Sequence, residues 1–191
     1  MNSGCKIIAV DIDHENLQTL TRHLRSRNAD TVIPVQYDGT HLPVATNSID
    51  FVVSYEVIEH VDDETVVLRE IQRVLKPHGE IVLSVPNKGW IFETHGASLP
   101  LFRWNRVPFF SWLPHWIHRR FAHARIYRKR DVVKLLSNNL FEVLSTEYIT
   151  APLDVVKNLR IKRFLRASLF RQDTTRLTCF STAILVHCRK K

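Results

Sequence analysis

Four short apolar runs constrain this chain more than anything else in it. They are Lys6–Val10, Thr31–Tyr37, Ile49–Ser54 and Glu80–Val85, and each stops on polar or conformationally special residues. The first ends at Asp11 and Asp13, the second at Asp38-Gly39, the third at Tyr55-Glu56 and the fourth at Pro86-Asn87. Between them lie stretches of helical period, which predict a helix from about His14 to Arg27 with Leu17, Leu20 and Leu24 on one face. A second helix is expected from about Asp62 to Leu75, with Val66, Val67, Ile71, Val74 and Leu75 as its apolar stripe, stopped by Pro77-His78-Gly79. Strand and helix alternating at this spacing predict an α/β fold with a parallel, doubly wound sheet. Ligands of such sheets bind at the carboxyl ends of the strands, so the four endings together mark a site. Lys6–Val10, apolar on both faces, reads as a buried strand.

The rest of the chain breaks the rhythm. Residues 88–130 form a long connection rich in aromatics, notably Leu99–Phe121 with three of the four tryptophans. A helix from about Lys129 to Asn138, a strand at Phe141–Ile149 and a last strand at Thr178–His187 follow. The 191 residues suit one domain with its own core. It divides into a cofactor-binding half (1–87), a substrate-capping insertion (88–130) and a C-terminal part (131–191) that carries a basic segment, 152–172.

The formal net charge of +8 favours an anionic partner. The basic residues are scattered and no recognition module is visible, so nucleic acid is not expected. Cys5, Cys179 and Cys188 have no metal-ligand spacing; Cys179 and Cys188 are placed on one extended strand, too far apart to bridge. A reduced, cytoplasmic protein is the expectation, since no apolar run approaches the ~20 residues that span a bilayer.

The segments "IIAVDIDHENL", "QYDGTHLPVATNSIDFVVSYEVIEHVDD" and "VLREIQRVLKPHGEIVLSVPN" resemble, in order and spacing, the class I S-adenosylmethionine-dependent methyltransferases of the type 11 group. A weaker match runs through "HARIYRKRDVVKLL", "FEVLS" and the final strand. The resemblance implies a Rossmann-like fold, S-adenosylmethionine as cofactor and roles for particular residues. Asp11 would accept hydrogen bonds from the two ribose hydroxyls, a task suited to a carboxylate. Ile12 would pack on the adenine, Asp38 would accept from its amino group, and Gly39 would let the backbone approach the ring. Ser54, Tyr55 and Glu56 would line the far side of the cofactor, near the reactive methyl. Asp13 reads as a helix cap.

The candidate bases for an oxygen nucleophile are His60, His95, Glu93 and Tyr127, each of which has a packing or capping role as its alternative. In ubiquinone-pathway O-methyltransferases a cluster like Glu56, Glu59 and His60 is associated with a divalent metal. A structural pair at the head of a helix is the reading adopted for Glu59 and His60, and no metal is expected.

One departure stands at the front. The resemblance implies a glycine-rich loop after an earlier strand lying between Lys6–Val10 and Ile49–Ser54, and neither is present in these 191 residues. The expectation is therefore an N-terminally truncated domain, with unpaired backbone on either side of the missing strand. The acceptor is expected to be a small molecule, hydrophobic or lipid-linked, met at a membrane surface. Two features carry that expectation: Trp104, Phe109, Phe110, Trp112 and Trp116 exposed among Arg and His, and a helix at Arg160–Leu169. In that helix Ile161, Phe164, Leu165 and Leu169 oppose Lys162, Arg163 and Arg166. The competing functions are a methyltransferase-like binding protein without catalysis and a nicotinamide-dependent oxidoreductase, which also uses an acid at a strand end.

Overall fold

A computed structural model describes residues 4–27, 29, 31–92, 97–99, 102–104, 108–153, 156–168 and 170–191. β1 (Ile7–Asp11), α1 (His14–Ser26) and β2 (Val32–Gln36) form a unit in which the two strands pair in parallel. β3 (Ile49–Tyr55), α2 (Glu64–Val74) and β4 (Leu75–Pro86) make a second parallel pair. Further along are β5 (Ala97–Leu99), β6 (Phe102–Trp104), α3 (His115–Phe121), α4 (Lys129–Asn138), β7 (Phe141–Thr150), α5 (Leu159–Ser168), β8 (Thr174–Thr175) and β9 (Ser181–Lys190). The main sheet has five strands in the order β3-β4-β9-β7-β8. It is mixed, because β9 runs antiparallel to both β4 and β7.

The helices begin where the sequence supplies caps. Asp13 Oδ1 accepts from the Glu15 amide at 2.8 Å to open α1, and Asp63 Oδ1 accepts from the Thr65 amide at 2.8 Å to open α2. α2 packs through Leu68, Ile71 and Val74, and Val67 is only partly covered. Val66, expected in the stripe, is exposed instead; Leu68 takes its place. Leu75 leaves the helix and begins β4 at once. Pro77-His78-Gly79 therefore do not separate two elements. They bulge inside β4, where Ile49 faces Leu75 but Phe51 already faces Glu80, and His78 takes a left-handed φ of 62°.

The main core joins Leu68, Ile71 and Leu75 to Ile81, Leu83 and Val85 of β4, Phe141 of β7, Ile184 and Val186 of β9, and Val132 and Leu136 of α4. A smaller core of Trp90, Ala151, Leu153 and Phe170 lies beside it. Cys188 is buried in β9, whereas Cys179 sits in a 3-10 turn (Thr178–Phe180) before that strand, so the two do not share it.

That same turn presses on Gly89, where an added Cβ would lie 2.6 Å from Thr178 Oγ1 and 2.7 Å from Thr178 Cβ. Gly89→Ala is accordingly expected to cost about 1–3 kcal/mol as an overpacked contact, read as a lower urea midpoint at unchanged m-value. An unchanged midpoint would show that the turn simply moves aside.

Among the described residues β1 pairs only with β2, and β3 only with β4. The side chains on these strands are correspondingly open. Ile7, Ile8 and Val10 are 49%, 38% and 39% exposed, which corrects the buried reading of β1. An apolar run on both faces implies burial only where cover is supplied on both, and among the described residues the main neighbours of β1 are α1 and β2. Phe51, Val53 and Tyr55 of β3 are likewise exposed.

Candidate functional site

The carboxyl ends of β1 and β2 bring four of the sequence candidates together. Asp11 closes β1 and spans the entry to α1: Oδ1 accepts from the Asp13 amide at 2.9 Å and Oδ2 from Asn16 Nδ2 at 3.1 Å. Each oxygen has a further lone pair, so a second pair of donors can be taken. The neighbouring Ile12 is 60% exposed, and a Cβ on Gly39 would meet its Cγ2 at 3.7 Å. Gly39 has a φ of 85°, a conformation that strains other residues. Asp38 Oδ1 collects the amides of Thr40 and His41, both at 2.7 Å, and the Thr40 hydroxyl at 2.8 Å. Those donors hold its carboxyl down at about 2, although it stands in water.

Tyr37 was not a candidate from sequence. It sits half-buried between the two acids, and burial first, then the charges of Asp11 and Asp38, push its phenol upward. The phenol is thus a standing donor at the centre of an acidic corner. Its only signal in the sequence is its place immediately before Asp38.

Ser54, Tyr55 and Glu56 stand at the carboxyl end of β3, on the other sheet. Tyr55 is 68% exposed. Glu56 turns the chain with a left-handed φ of 52°; its amide donates to Ser84 O at 3.2 Å and the Ser84 hydroxyl returns to Glu56 Oε1 at 2.6 Å. Glu59 follows at 2% exposure, and burial first, then Glu56 beside it, raises its carboxyl to about 8. At neutral pH Glu59 therefore holds its proton. His60 is exposed, with Nε2 at 3.8 Å from Glu59 Oε1.

Arg125 and Tyr127 pin this turn from the far half of the chain. The Arg125 amide donates to Glu59 O at 3.1 Å, and its guanidinium donates to Val61 O and, at 2.7 Å, to Asp62 O. The Tyr127 hydroxyl donates to Glu64, and burial followed by that bond raises its phenol strongly. Such a phenol is a structural donor, which removes it from base duty. His95 and Glu93 lie outside the described residues. Among the described residues no group of three or more His, Cys, Asp or Glu side chains is placed to hold a metal.

A cleft beyond the end of β4 is lined by Asn87, Lys88, Trp112, Arg128, Lys129 and Tyr148, among others. Between the two strand-end groups runs the loop from Leu42 to Thr46, fastened to α2 by residues with no distinguishing mark in the sequence. Arg73 donates to Leu42 O and Val44 O, each at 3.0 Å, and to Thr46 Oγ1 at 3.1 Å. It also grips Glu70 with Nε and Nη2 at 2.9 and 2.8 Å, and Glu70 Oε2 accepts from the Leu42 amide at 3.1 Å.

Comparison with known proteins agrees with this arrangement. Residues 1–83 match the family described as "Methyltransferase domain". A Mycobacterium tuberculosis protein described as a "Probable S-adenosylmethionine-dependent methyltransferase" is 37% identical over 96 residues, 50% of this chain and 32% of that one. A demethylmenaquinone methyltransferase of Lactobacillus johnsonii is 26% identical over 97% of this chain and 66% of its own length. A solved S-adenosylmethionine-dependent methyltransferase from Mesorhizobium loti superposes with a TM-score of 0.62 at 15% identity, covering 97% of this chain and 80% of that one. Residues 1–83 thus carry the methyltransferase-domain match, and the chain has the fold of the class I S-adenosylmethionine-dependent methyltransferases. It spans 32% and 66% of the length of the two curated relatives named.

The cofactor of this class fits the residues of the β1–β2 corner at its adenosine end. Asp11 retains acceptor capacity for paired hydroxyls, Ile12 and Gly39 form an apolar wall without a protruding Cβ, and Asp38 Oδ2 takes none of the three bonds that hold Oδ1. For the amino-acid end the described glycines, Gly4, Gly39, Gly79 and Gly89, are isolated from one another and form no glycine-rich turn.

Proposed function

We propose that this chain transfers a methyl group from S-adenosylmethionine to a hydrophobic small-molecule acceptor. The observation that carries the reading is the meeting of Asp11 and Ile12 with Asp38 and Gly39 at the ends of β1 and β2. S-adenosylmethionine, when bound, supplies a methyl group on a sulfonium, activated for in-line attack. Asp11 would bind the ribose, Ile12 would pack on the adenine with the Gly39 backbone close to the ring, and Asp38 would accept from the exocyclic amine. Ser54, Tyr55 and Glu56 border the methyl, with Glu56 held in one orientation by Ser84. His60 is the sequence-derived base that stays open to solvent at this end; the acceptor lies toward the cleft with Trp112 and Tyr148. Support for a hydrophobic acceptor comes from the relatives, which include the demethylmenaquinone methyltransferase and a ubiquinone biosynthesis O-methyltransferase of Bartonella tribocorum, 25% identical over 77% of this chain.

The two acids make a direct test. Asp11→Ala is expected to weaken binding of S-adenosylmethionine by about 1.5–3 kcal/mol, the usual cost of losing a charged acceptor. Asp13→Ala should leave affinity almost unchanged and remove about 1 kcal/mol of stability as a lost cap. Calorimetry, or ligand-observed NMR at millimolar affinity, measures the first quantity and urea unfolding the second. Equal losses of affinity in the two variants would sink the ribose assignment.

A further inference from the structure

α5 (Leu159–Ser168) opens on Asn158, whose Oδ1 accepts from the amides of Arg160 at 2.9 Å and Ile161 at 3.2 Å. None of its residues is fully buried. One side alone holds it to the protein: Leu165 packs on the small core of Trp90, Ala151, Leu153 and Phe170, and Arg166 Nη2 donates to Pro152 O at 3.3 Å. With a turn every 3.6 residues, Lys162, Leu165 and Arg166 make that side, which corrects the expected division: Leu165 stands with Lys162 and Arg166, and Arg163 stands with the exposed Ile161 and Phe164. The remainder faces water and carries Leu159, Ile161 and Phe164, 69%, 52% and 70% exposed, interleaved with exposed Arg160 and Arg163. From residue 156 to residue 172 the chain has Lys157, Arg160, Lys162, Arg163, Arg166 and Arg171 and no acid.

A second apolar exposure hangs on the same small core. Phe109 and Trp112 meet edge to face at 5.2 Å, and both are more than half exposed; Trp116 is 75% exposed. Trp112 Nε1 donates inward to Gly89 O at 3.3 Å, so the carbon rim of the indole faces outward. The Phe109 amide donates to Ile91 O and the Ser111 hydroxyl to Phe92 O, and Phe92 packs against Trp90 at 5.6 Å. Phe110, by contrast, points inward at 4% exposure, which corrects its place among the exposed aromatics; the Trp104 side chain and Leu169 lie outside the described residues.

We propose that α5, together with Phe109, Trp112 and Trp116, docks on an anionic lipid bilayer, independently of the methyl-transfer reading. Leu159, Ile161 and Phe164 enter the boundary between headgroups and acyl chains, and Arg160 and Arg163 meet the headgroup phosphates. Charge complementarity selects an anionic surface. The aliphatic Leu159 and Ile161 select lipid over nucleic acid, where arginines and aromatic rings would have work but isolated aliphatic side chains would not. No helix among the described residues is long and apolar enough to cross a membrane, so contact through this face is peripheral.

The test is sedimentation of the 191-residue chain with vesicles of phosphatidylcholine alone, or with about one-third phosphatidylglycerol, at low salt and at about 0.5 M salt. The protein is expected to pellet with the anionic vesicles at low salt, to be released at high salt, and to stay in solution with phosphatidylcholine. The pair Arg160→Gln and Arg163→Gln should lower partitioning about fivefold per arginine, and Phe164→Ala about tenfold. Far-UV circular dichroism should be unchanged in these exposed-site variants. Protein that remains in the supernatant with anionic vesicles at low salt overturns the proposal. So does pelleting that the variants do not reduce, or that occurs without vesicles.

Discussion

Glu59→Gln is expected to remove most of the pH dependence of folding stability between about pH 4.5 and about pH 8. The carboxyl is raised from 4.5 to about 8 in the folded protein, by burial first and then by Glu56. Across that interval the folded state keeps a proton that the unfolded chain has released, so stability is full below the unfolded value and falls as pH rises through the folded one. At about 1.4 kcal/mol for each tenfold difference in proton affinity between the two states, the loss reaches up to about 4 kcal/mol by the top of the range. Glutamine keeps the shape and stays neutral, so urea midpoints of the variant should be nearly level from pH 5 to about pH 9 while the parent declines. A parent curve that is flat, or a variant that declines in parallel, would show that Glu59 is not the titrating group.

The next largest effect is expected at Arg73. Arg73→Ala strips the donors from Leu42 O, Val44 O and Thr46 Oγ1 and leaves Glu70 without its counter-ion. A cost of about 2–4 kcal/mol follows, since each bond involves a charged partner and the groups left behind are partly covered. Arg73→Lys should recover less than half, because an ammonium cannot reproduce the fork that grips a carboxylate and two carbonyls together. Cofactor affinity should fall as well, through Asp38, which heads the loop that Arg73 holds. Thermal unfolding and cofactor titration of both variants check the pair of effects. Full recovery by lysine would mean that charge, and not geometry, secures the loop.

Much of the fold was legible because local signals and tertiary packing agreed. Asp13 and Asp63 cap where a short acid before an apolar period says they should, and α4 spans the residues its pattern gave, Lys129–Asn138. The adenosine corner was legible too, because Asp11-Ile12 and Asp38-Gly39 carry their chemistry within two residues of a strand end. What escaped was set by partners far along the chain. Leu68 rather than Val66 is buried because of where β4 and α4 lie, which the period of α2 cannot specify. The exposure of β1 depends on how many neighbours cover it. Glu59 reads as one of a structural pair with His60 at the head of a helix, and its full burial comes only with Glu56 and the turn that Arg125 pins. Arg73, similarly, looks like any arginine in the last turn of a helix; its loop partners lie 27 to 31 residues earlier.

Among the described residues β1 and β3 each pair on one side, which has a consequence for amide exchange. In a strand bonded on both sides every backbone N–H is engaged, and protection is uniform along its length. In β3 the N–H groups alternate, one set donating toward β4 and the other pointing away from it. Deuterium should therefore enter β3 in a saw-tooth, with every second amide exchanging at rates near those of a loop and its neighbours staying slow. β1 should show the same alternation against β2, at a lower ceiling, because its two-stranded sheet has less around it to keep it closed. Anything that occupied those outward N–H groups would erase the teeth and leave the rest of the exchange map as it was.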